Sequence, residues 1–428
     1  FLTVVLSVAF ALATASPSVA QERPVAVRAA RFLDLDAGRL VSPALVVVQN
    51  GRIVSVGGSV PAGAETIDLG DVTLLPGLMD MHTHLTGDIE GNWVYRPVTE
   101  TAADDALRGA RNARRTLEAG FTTVRDVGSG DFVDVSLMKA SDADMIPAPR
   151  IFPAGHSLGI TGGHCDVTGF RPGLFELDWR QGVADGPDEV RKAVRHQAKY
   201  GAKVIKICAT AGVLSFEEAV GAQQFTEAEM RAVVEEAAAH GLRVAAHAHG
   251  TDGIKAAVRA GVASIEHGSI LDDEAVRMMR ERGTFLVPTS YLVDAIKLDA
   301  LPPQIRAKAE IVLPRARESL RQAIQAGVKI AFGTDAAVIQ HGHNAREFAV
   351  YVQQGMTPID AIRSATTRAA ELLGITDRGV IAPGKLADII AVRGDPLQNV
   401  RVLEDVRFVM KNGRVYVQRT DDNRANHP

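Results

Sequence analysis

The sequence predicts an α/β fold: a (β/α)8 barrel with a small β-sandwich domain built from both chain ends. Three observations predict it. Eight short apolar segments alternate with helix-like stretches through the middle of the 428-residue chain: LLPGLMDMH, FTTVRDV, RIFPAG, AKVIKICAT, RVAAHAHG, ASIEHGS, TFLVPTS and KIAFGTDA. Strand-rich pieces with a common hairpin grammar stand at both ends of the chain. Histidines, a lysine and an aspartate sit where several of the eight segments end. A doubly wound open sheet is the rival architecture, but the loop of spaced glycines it needs for phosphate is missing after the first segment.

The elements follow in order. Residues 1–20, FLTVVLSVAFALATASPSVA, are uncharged, hold an apolar run to about Ala13 and end in the small residues Ser18, Val19 and Ala20, the pattern of an export signal. A membrane anchor is the alternative, for which the run is short. With no initiator Met and no basic segment, the chain is expected to begin inside that signal. The mature protein would then start near Gln21 and be secreted or periplasmic. No later segment is apolar enough to span a bilayer.

Residues 21–75 supply VAVRAARFLDL and LVVVQNGRIVSVG, the second turning at Asn50-Gly51, a dipeptide that adopts the left-handed conformations of a two-residue hairpin. Residues 376–418 repeat the grammar in ADIIAVRG and VRFVMKNGRVYVQ, with Asn412-Gly413 at the turn. The barrel is expected over 76–375. Within it TEAEMRAVVEEAAAHG reads as a helix opened by a capping box of Thr226 and Glu229 and ended by Gly241. Residues 419–428 are expected to be a disordered tail.

Composition narrows the function classes. A hydrophobic content of 46% over this length supports a large core and more than one domain. The net charge of −4, without a dense Lys/Arg block, argues against nucleic acid and anionic membranes as partners and for a small substrate. Two cysteines, Cys165 and Cys208, are too few for a disulfide scaffold. Both are expected as buried thiols, with a bridge between them left open.

Chemistry in such a barrel lies at the C-terminal ends of the strands. The first strand ends in His82 and His84, the fourth carries Lys206, the fifth ends in His247 and His249, the sixth in His267 and the eighth in Asp335. Residues two apart in a strand share a face, so His82 and His84 can grip one ion. A single histidine at a strand end is usually structural. Several on strands one, five and six, with an aspartate on strand eight, point to a metal centre.

At this point the chain resembles the amidohydrolase superfamily, through PGLMDMHTHL, VIKI, HAHG, IEHG, FGTDA and the flanking ADIIAV and NGRVY segments. The likeness is to its carboxylated-lysine binuclear group, resembling Xaa-Pro and Xaa-Arg dipeptidases, imidazolonepropionase-like amidohydrolases and ochratoxin hydrolases; the single-metal imidazolone hydrolases generally lack the strand-four lysine, so Lys206 favours two metals. It implies metal ligands at His82, His84, Lys206, His247, His267 and Asp335, with His249 an alternative to His247. Lys206 is implied to react with CO2 and bridge two Zn²⁺ ions as a carbamate. Neutral amine is needed for that reaction, and burial favours it. Gly250 stands where related deaminases keep a glutamate, which counts against deamination.

The implied function is exported, metal-dependent hydrolysis of an amide bond to a C-terminal amino acid, in a dipeptide, an N-acyl amino acid or an ochratoxin-like substrate. A hydroxide bridging the metals attacks, and Asp335 acts as general base and then acid. His164, in a Gly-rich loop, is implied to contact substrate and steady the oxyanion. Tyr291 and His343 are expected at the barrel mouth as further substrate contacts, with His341 beside them. The enzymatic alternative is a hydantoinase- or imidazolonepropionase-like hydrolase of cyclic amides or lactones. A metal- or ligand-binding protein without chemistry is the non-enzymatic one, and the intact ligand set with Asp335 argues against it. A homo-oligomer is compatible with either enzyme.

Overall fold

The computed structural model describes residues 23–419 except 90, 92 and 218. The expected signal at 1–20 and the tail beyond Arg419 lie outside the described residues. Among those described, no helix is long and apolar enough to cross a membrane.

Two mixed sheets form here, the first from the N-terminal part alone and the second from both chain ends. One runs Arg52–Val56, Ala44–Gln49, Val25–Ala29, Glu65–Asp68. The other runs Arg414–Gln418, Val406–Lys411, Ile389–Val392, Thr73–Pro76, Arg31–Asp34, Arg39–Val41. Val27, Val46 and Ile53 of the first share a core with Leu74, Ile389 and Phe408 of the second, so alternate residues of each sheet are buried between them. Asn50 and Gly51 turn the first hairpin with φ of 51° and 72°, and Asn412 and Gly413 turn the last with 54° and 78°. These are the left-handed values that Asn-Gly supplies at least cost.

Gly77 joins this part of the chain to the first strand of the next. A Cβ there would stand 2.2 Å from Thr122 Oγ1, so only glycine lets the two strands pass. From that point parallel strands alternate with helices. Leu78–Thr83, Phe121–Asp126 and Arg150–Pro153 form one parallel sheet; Ile205–Cys208, Val244–Ala248, Ser264–His267 and Phe285–Val287 form another. Helices such as Ala102–Glu118, Pro187–Tyr200 and Thr251–Ala260 follow individual strands. The helix Glu227–Ala239 starts at the expected capping box, Thr226 and Glu229 exchanging both bonds.

Eight regular strands were expected, and seven occur among the described residues. The eighth segment is bonded but irregular: Leu286 bridges Ile330, Met81 N–H donates to Phe332 O, and His84 N–H donates to Ala336 O. The reason lies in the backbone, because Asp335 has φ 57° and Ala337 φ 151°, which break a ladder. At the other seam Leu158 bridges Ile207. Backbone bonds therefore connect the two parallel sheets at both edges.

The cysteines correct an expectation. Cys165 and Cys208 are joined as a disulfide instead of standing as free thiols. It ties the Gly-rich loop after the third strand to the end of the fourth.

Candidate metal and active site

Strand alternation places the first two histidines. His82 and His84 both leave the first strand toward the same space, with ring centroids 5.4 Å apart. Their Nε2 atoms lie 3.6 and 3.8 Å from Asp335 Oδ1, too far for hydrogen bonds and suitable for a shared cation. His267 and Asp335 reach this space because their backbones turn left-handed, with φ of 68° and 57°. Such conformations cost about 1–2 kcal/mol each in a non-glycine residue and tend to persist where they serve a site.

In three of the four histidines a ring nitrogen has a partner that orients it. His82 Nδ1 lies 2.8 Å from Glu266 Oε2, His84 Nδ1 2.9 Å from Gly128 O, and His267 Nδ1 2.8 Å from Thr289 Oγ1. The carboxylate and the carbonyl can only accept, so they fix Nδ1 of His82 and His84 as the donor and leave Nε2 as the ligand atom, while the Thr289 hydroxyl orients the His267 ring. His247 Nε2 is buried with no hydrogen-bond partner, which an ion would satisfy. The ring of His247 lies 4.8 Å from that of His267, which is itself 4.9 Å from His82.

Electrostatics agree with metal binding. Burial, ahead of Lys206 and neighbouring cations, pushes the His82 imidazole well below its ordinary range. The same cause lowers His84 to about 4, and burial likewise leads in depressing His247 and His267. These are neutral, ligand-competent rings. Lys206 is only 3% exposed, and its amine makes no hydrogen bond among the described residues. Burial lowers its pKa to about 8, against the opposing pull of Glu266 and Asp335. Lys206 lines an open cavity, where a neutral amine is accessible to CO2. The residues present therefore fit a metal ion, with His82, His84 and Asp335 offering ligand atoms within 4.8 Å of one another.

One open cavity of about 740 Å³ is lined by His82, His84, Lys206, His247, His267 and Asp335. His164 lines it too. Beside it lies an apolar cavity of about 80 Å³, walled by residues such as Val213, Leu292 and Val312 and reached past His164, His247 and His249. The pair left open by the sequence separates here. His247 borders both cavities, whereas His249 borders the apolar one, with Nδ1 2.8 Å from Ser269 Oγ. Tyr291 and His343 line neither. The Tyr291 hydroxyl accepts from Arg346 in a separate cleft with Arg401 and Glu404. His341 is buried between Thr116 and Gly87 O.

Sequence reasoning missed the pair that supports His82. Arg125 on the second strand is 2% exposed and Glu266 on the sixth 0%. Arg125 donates to Glu266 Oε1 at 2.7 Å and to Ser264 Oγ at 3.0 Å, so the carboxylate that holds His82 is itself held. A charged residue inside each of two short apolar strands is the signal the sequence offers. Glu266→Gln keeps the shape but loses the charge, and metal affinity is expected to fall ~10–100-fold. Competition with a chelator measures this; unchanged affinity would remove Glu266 from the metal's support.

The fold and this cluster define a metal-dependent hydrolase site. The chain belongs to the amidohydrolase family, whose model matches residues 73–416. It is 35% identical over 373 residues to the ochratoxinase of Aspergillus niger, covering 80% of this chain and 75% of that protein. Among solved structures it resembles a Xaa-Pro dipeptidase with methionine bound in its active site, at 40% identity and TM-score 0.89 over 92% of this chain and 100% of the other. It is also similar to a prolidase complexed with N-methylphosphonate-L-proline, at 36% identity and TM-score 0.84 over 92% and 100%. These likenesses make the chain a hydrolase of amide or peptide bonds and imply a TIM-type barrel with a small domain.

Proposed function

We propose that this chain is an exported binuclear amidohydrolase that cleaves the amide bond to a C-terminal amino acid, in a dipeptide, an N-acyl amino acid or an ochratoxin-like substrate. The observation that carries the proposal is the convergence of His82, His84, Lys206, His247, His267 and Asp335 on one cavity. Similarity to an ochratoxinase and to a Xaa-Pro dipeptidase supports the bond class. The bonded seams support a closed eight-segment barrel over 76–375, with 21–75 and 376–418 as the β-sandwich. The Cys165–Cys208 disulfide supports export, because such bonds persist in oxidising compartments.

Bound divalent ions, zinc being the expected metal, would supply Lewis acidity toward the carbonyl and acidify a water. His82 and His84 would hold one ion and His247 and His267 the other. Neutral Lys206 Nζ would add to the carbon of CO2, forming an N–C bond and releasing one proton, to give an anion with two ligand oxygens. Asp335 would take a proton from the nucleophilic water and return it to the leaving nitrogen.

Elemental analysis is expected to give about two ions per chain, the number the ligand set can hold. The same loaded sample is expected to hydrolyse dipeptides or N-acyl amino acids faster than their C-terminal amides. One ion per chain at full activity sinks the binuclear reading, equal rates remove carboxylate recognition, and turnover confined to cyclic amides or lactones transfers the site to the hydantoinase-like alternative.

A further inference from the structure

Two non-glycine residues near the ends of the seventh and eighth segments stand left-handed at the site, Thr289 with φ 48° and Asp335 with φ 57°. Such conformations are unfavourable for any residue with a Cβ and persist only where the surroundings over-determine them. The groups that hold these two turns come from one place. They are Asn344 and Glu347, three residues apart where the chain leaves the eighth segment and enters the helix Arg346–Gln353. Both are 0% exposed.

Asn344 works through Asp80. Its Nδ2 donates to Asp80 Oδ2 at 2.8 Å, and its Oδ1 accepts from Gly342 N–H at 3.0 Å, which fixes the orientation of the amide. Asp80, buried on the first strand, also accepts from Thr334 Oγ1 at 2.6 Å, from Thr334 N–H at 3.2 Å and from His82 N–H at 3.0 Å. One carboxylate thereby joins the backbone of His82 to the residue that precedes Asp335. Glu347 works on the other turn. Its two oxygens accept from Ser290 N–H and Tyr291 N–H at 2.6 Å each, immediately after Thr289. Thr289 Oγ1 in turn lies 2.8 Å from His267 Nδ1. Two successive N–H groups held by one carboxylate leave that turn a single position.

We propose that Asn344 and Glu347 are positioning residues that set the spacing of the metal ligands, Asn344 through Asp80 and Thr334 for His82 and Asp335, and Glu347 through Thr289 for His267. This rests on the metal-centre reading above and deepens it, since one short turn then governs ligands from the first, sixth and eighth segments. The residue types suit the task. Glutamine at 347 would aim an NH2 group at a backbone N–H, donor against donor. Leucine at 344 would leave Asp80 short of one donor and Gly342 N–H without its acceptor.

Zinc affinity, measured by competition with a chelator, tests both arms. Thr334→Val and Thr289→Val each remove one hydroxyl and keep the β-branched shape. Each is expected to bind zinc ~10–100-fold more weakly, the scale of losing a ligand's support, and to melt in chelator as the wild type does. Serine at either position keeps the hydroxyl and is expected to keep the affinity. Asn344→Leu and Glu347→Gln are expected to lose at least as much. Combining Thr334→Val with Asn344→Leu, or Thr289→Val with Glu347→Gln, should cost no more than the harsher single variant, because the partners act in one chain of contacts. Wild-type affinity in either valine variant overturns the proposal whether or not Asn344→Leu and Glu347→Gln fold. Additive losses overturn it too, as does a drop in the metal-free melting temperature of the valine variants. Failure of the zinc-loaded wild type to cleave any amide refutes the hydrolase reading and leaves the affinity results standing.

Discussion

Lys206→Ala is expected to lower metal content from about two ions per chain to one or fewer and to reduce kcat/KM by roughly 10³-fold, the scale of losing a water-activating metal centre. The argument starts from the side chain's surroundings. Lys206 is buried on the fourth strand, beside the cavity lined by His82, His84, His247 and Asp335, and its amine has no hydrogen bond among the described residues. As a cation it would repel the ions that the histidines are arranged to hold. As a carbamate it would supply the anionic bridge between them, and alanine leaves both ions without it. Short carboxylates such as propionate are expected to restore part of both quantities by filling the vacated space.

Folding should not account for the loss. Lys206 lines the open cavity, so truncation is expected to leave the chain folded, with the metal-free variant melting close to the metal-free wild type. Metal analysis, kinetics with and without propionate, and thermal melts in chelator check the three statements together. Normal stoichiometry and rate in Lys206→Ala would falsify the carbamate assignment.

Much of this site was legible because strand alternation and the position of strand ends are local properties. His82 and His84 share a face by spacing alone, and the Asn-Gly turns declare themselves through the backbone they require. What could not be read depends on register between distant strands. Arg125 meets Glu266 across the barrel, a contact between residues 141 apart. Cys165 and Cys208 are 43 residues apart, with nothing in the loop of one or the strand of the other to fix their meeting.

The loops failed for a related reason. Tyr291 and His343 were placed at the mouth by their order after a strand, yet Glu347 accepts from the backbone N–H of Ser290 and Tyr291 at 2.6 Å each. That buried carboxylate pins the start of the loop, and Tyr291 meets Arg346 outside the two cavities. Likewise, the separation of His247 from His249 depends on Ser269, a residue from the next loop that holds the second ring against the apolar wall.

Asp335→Asn is expected to lower kcat by ~10²–10⁴-fold with a smaller change in KM, the range for loss of a positioned general base. Asparagine is nearly isosteric and tolerates the left-handed φ of 57° found here, so the backbone bond from residue 335 N–H to His82 O at 2.8 Å should survive. An amide oxygen can still face the space between His82 and His84, from which Oδ1 now stands 3.6 and 3.8 Å. Metal content is therefore expected to stay closer to the wild-type value than in Lys206→Ala. What the amide cannot do is accept a proton. Burial raises the pKa of the Asp335 carboxyl to about 6, with Lys206 pulling it down and Glu266 pushing it up, which puts this group within reach of proton exchange near neutrality. Asp335→Ala is the contrasting case: it removes the ligand oxygen and places a less tolerant residue at a left-handed position, so metal loss and a lower melting temperature should accompany the loss of rate. If Asp335→Asn turns over within a few-fold of wild type at full metal loading, the proton passes through another group and the general-base role of Asp335 is wrong.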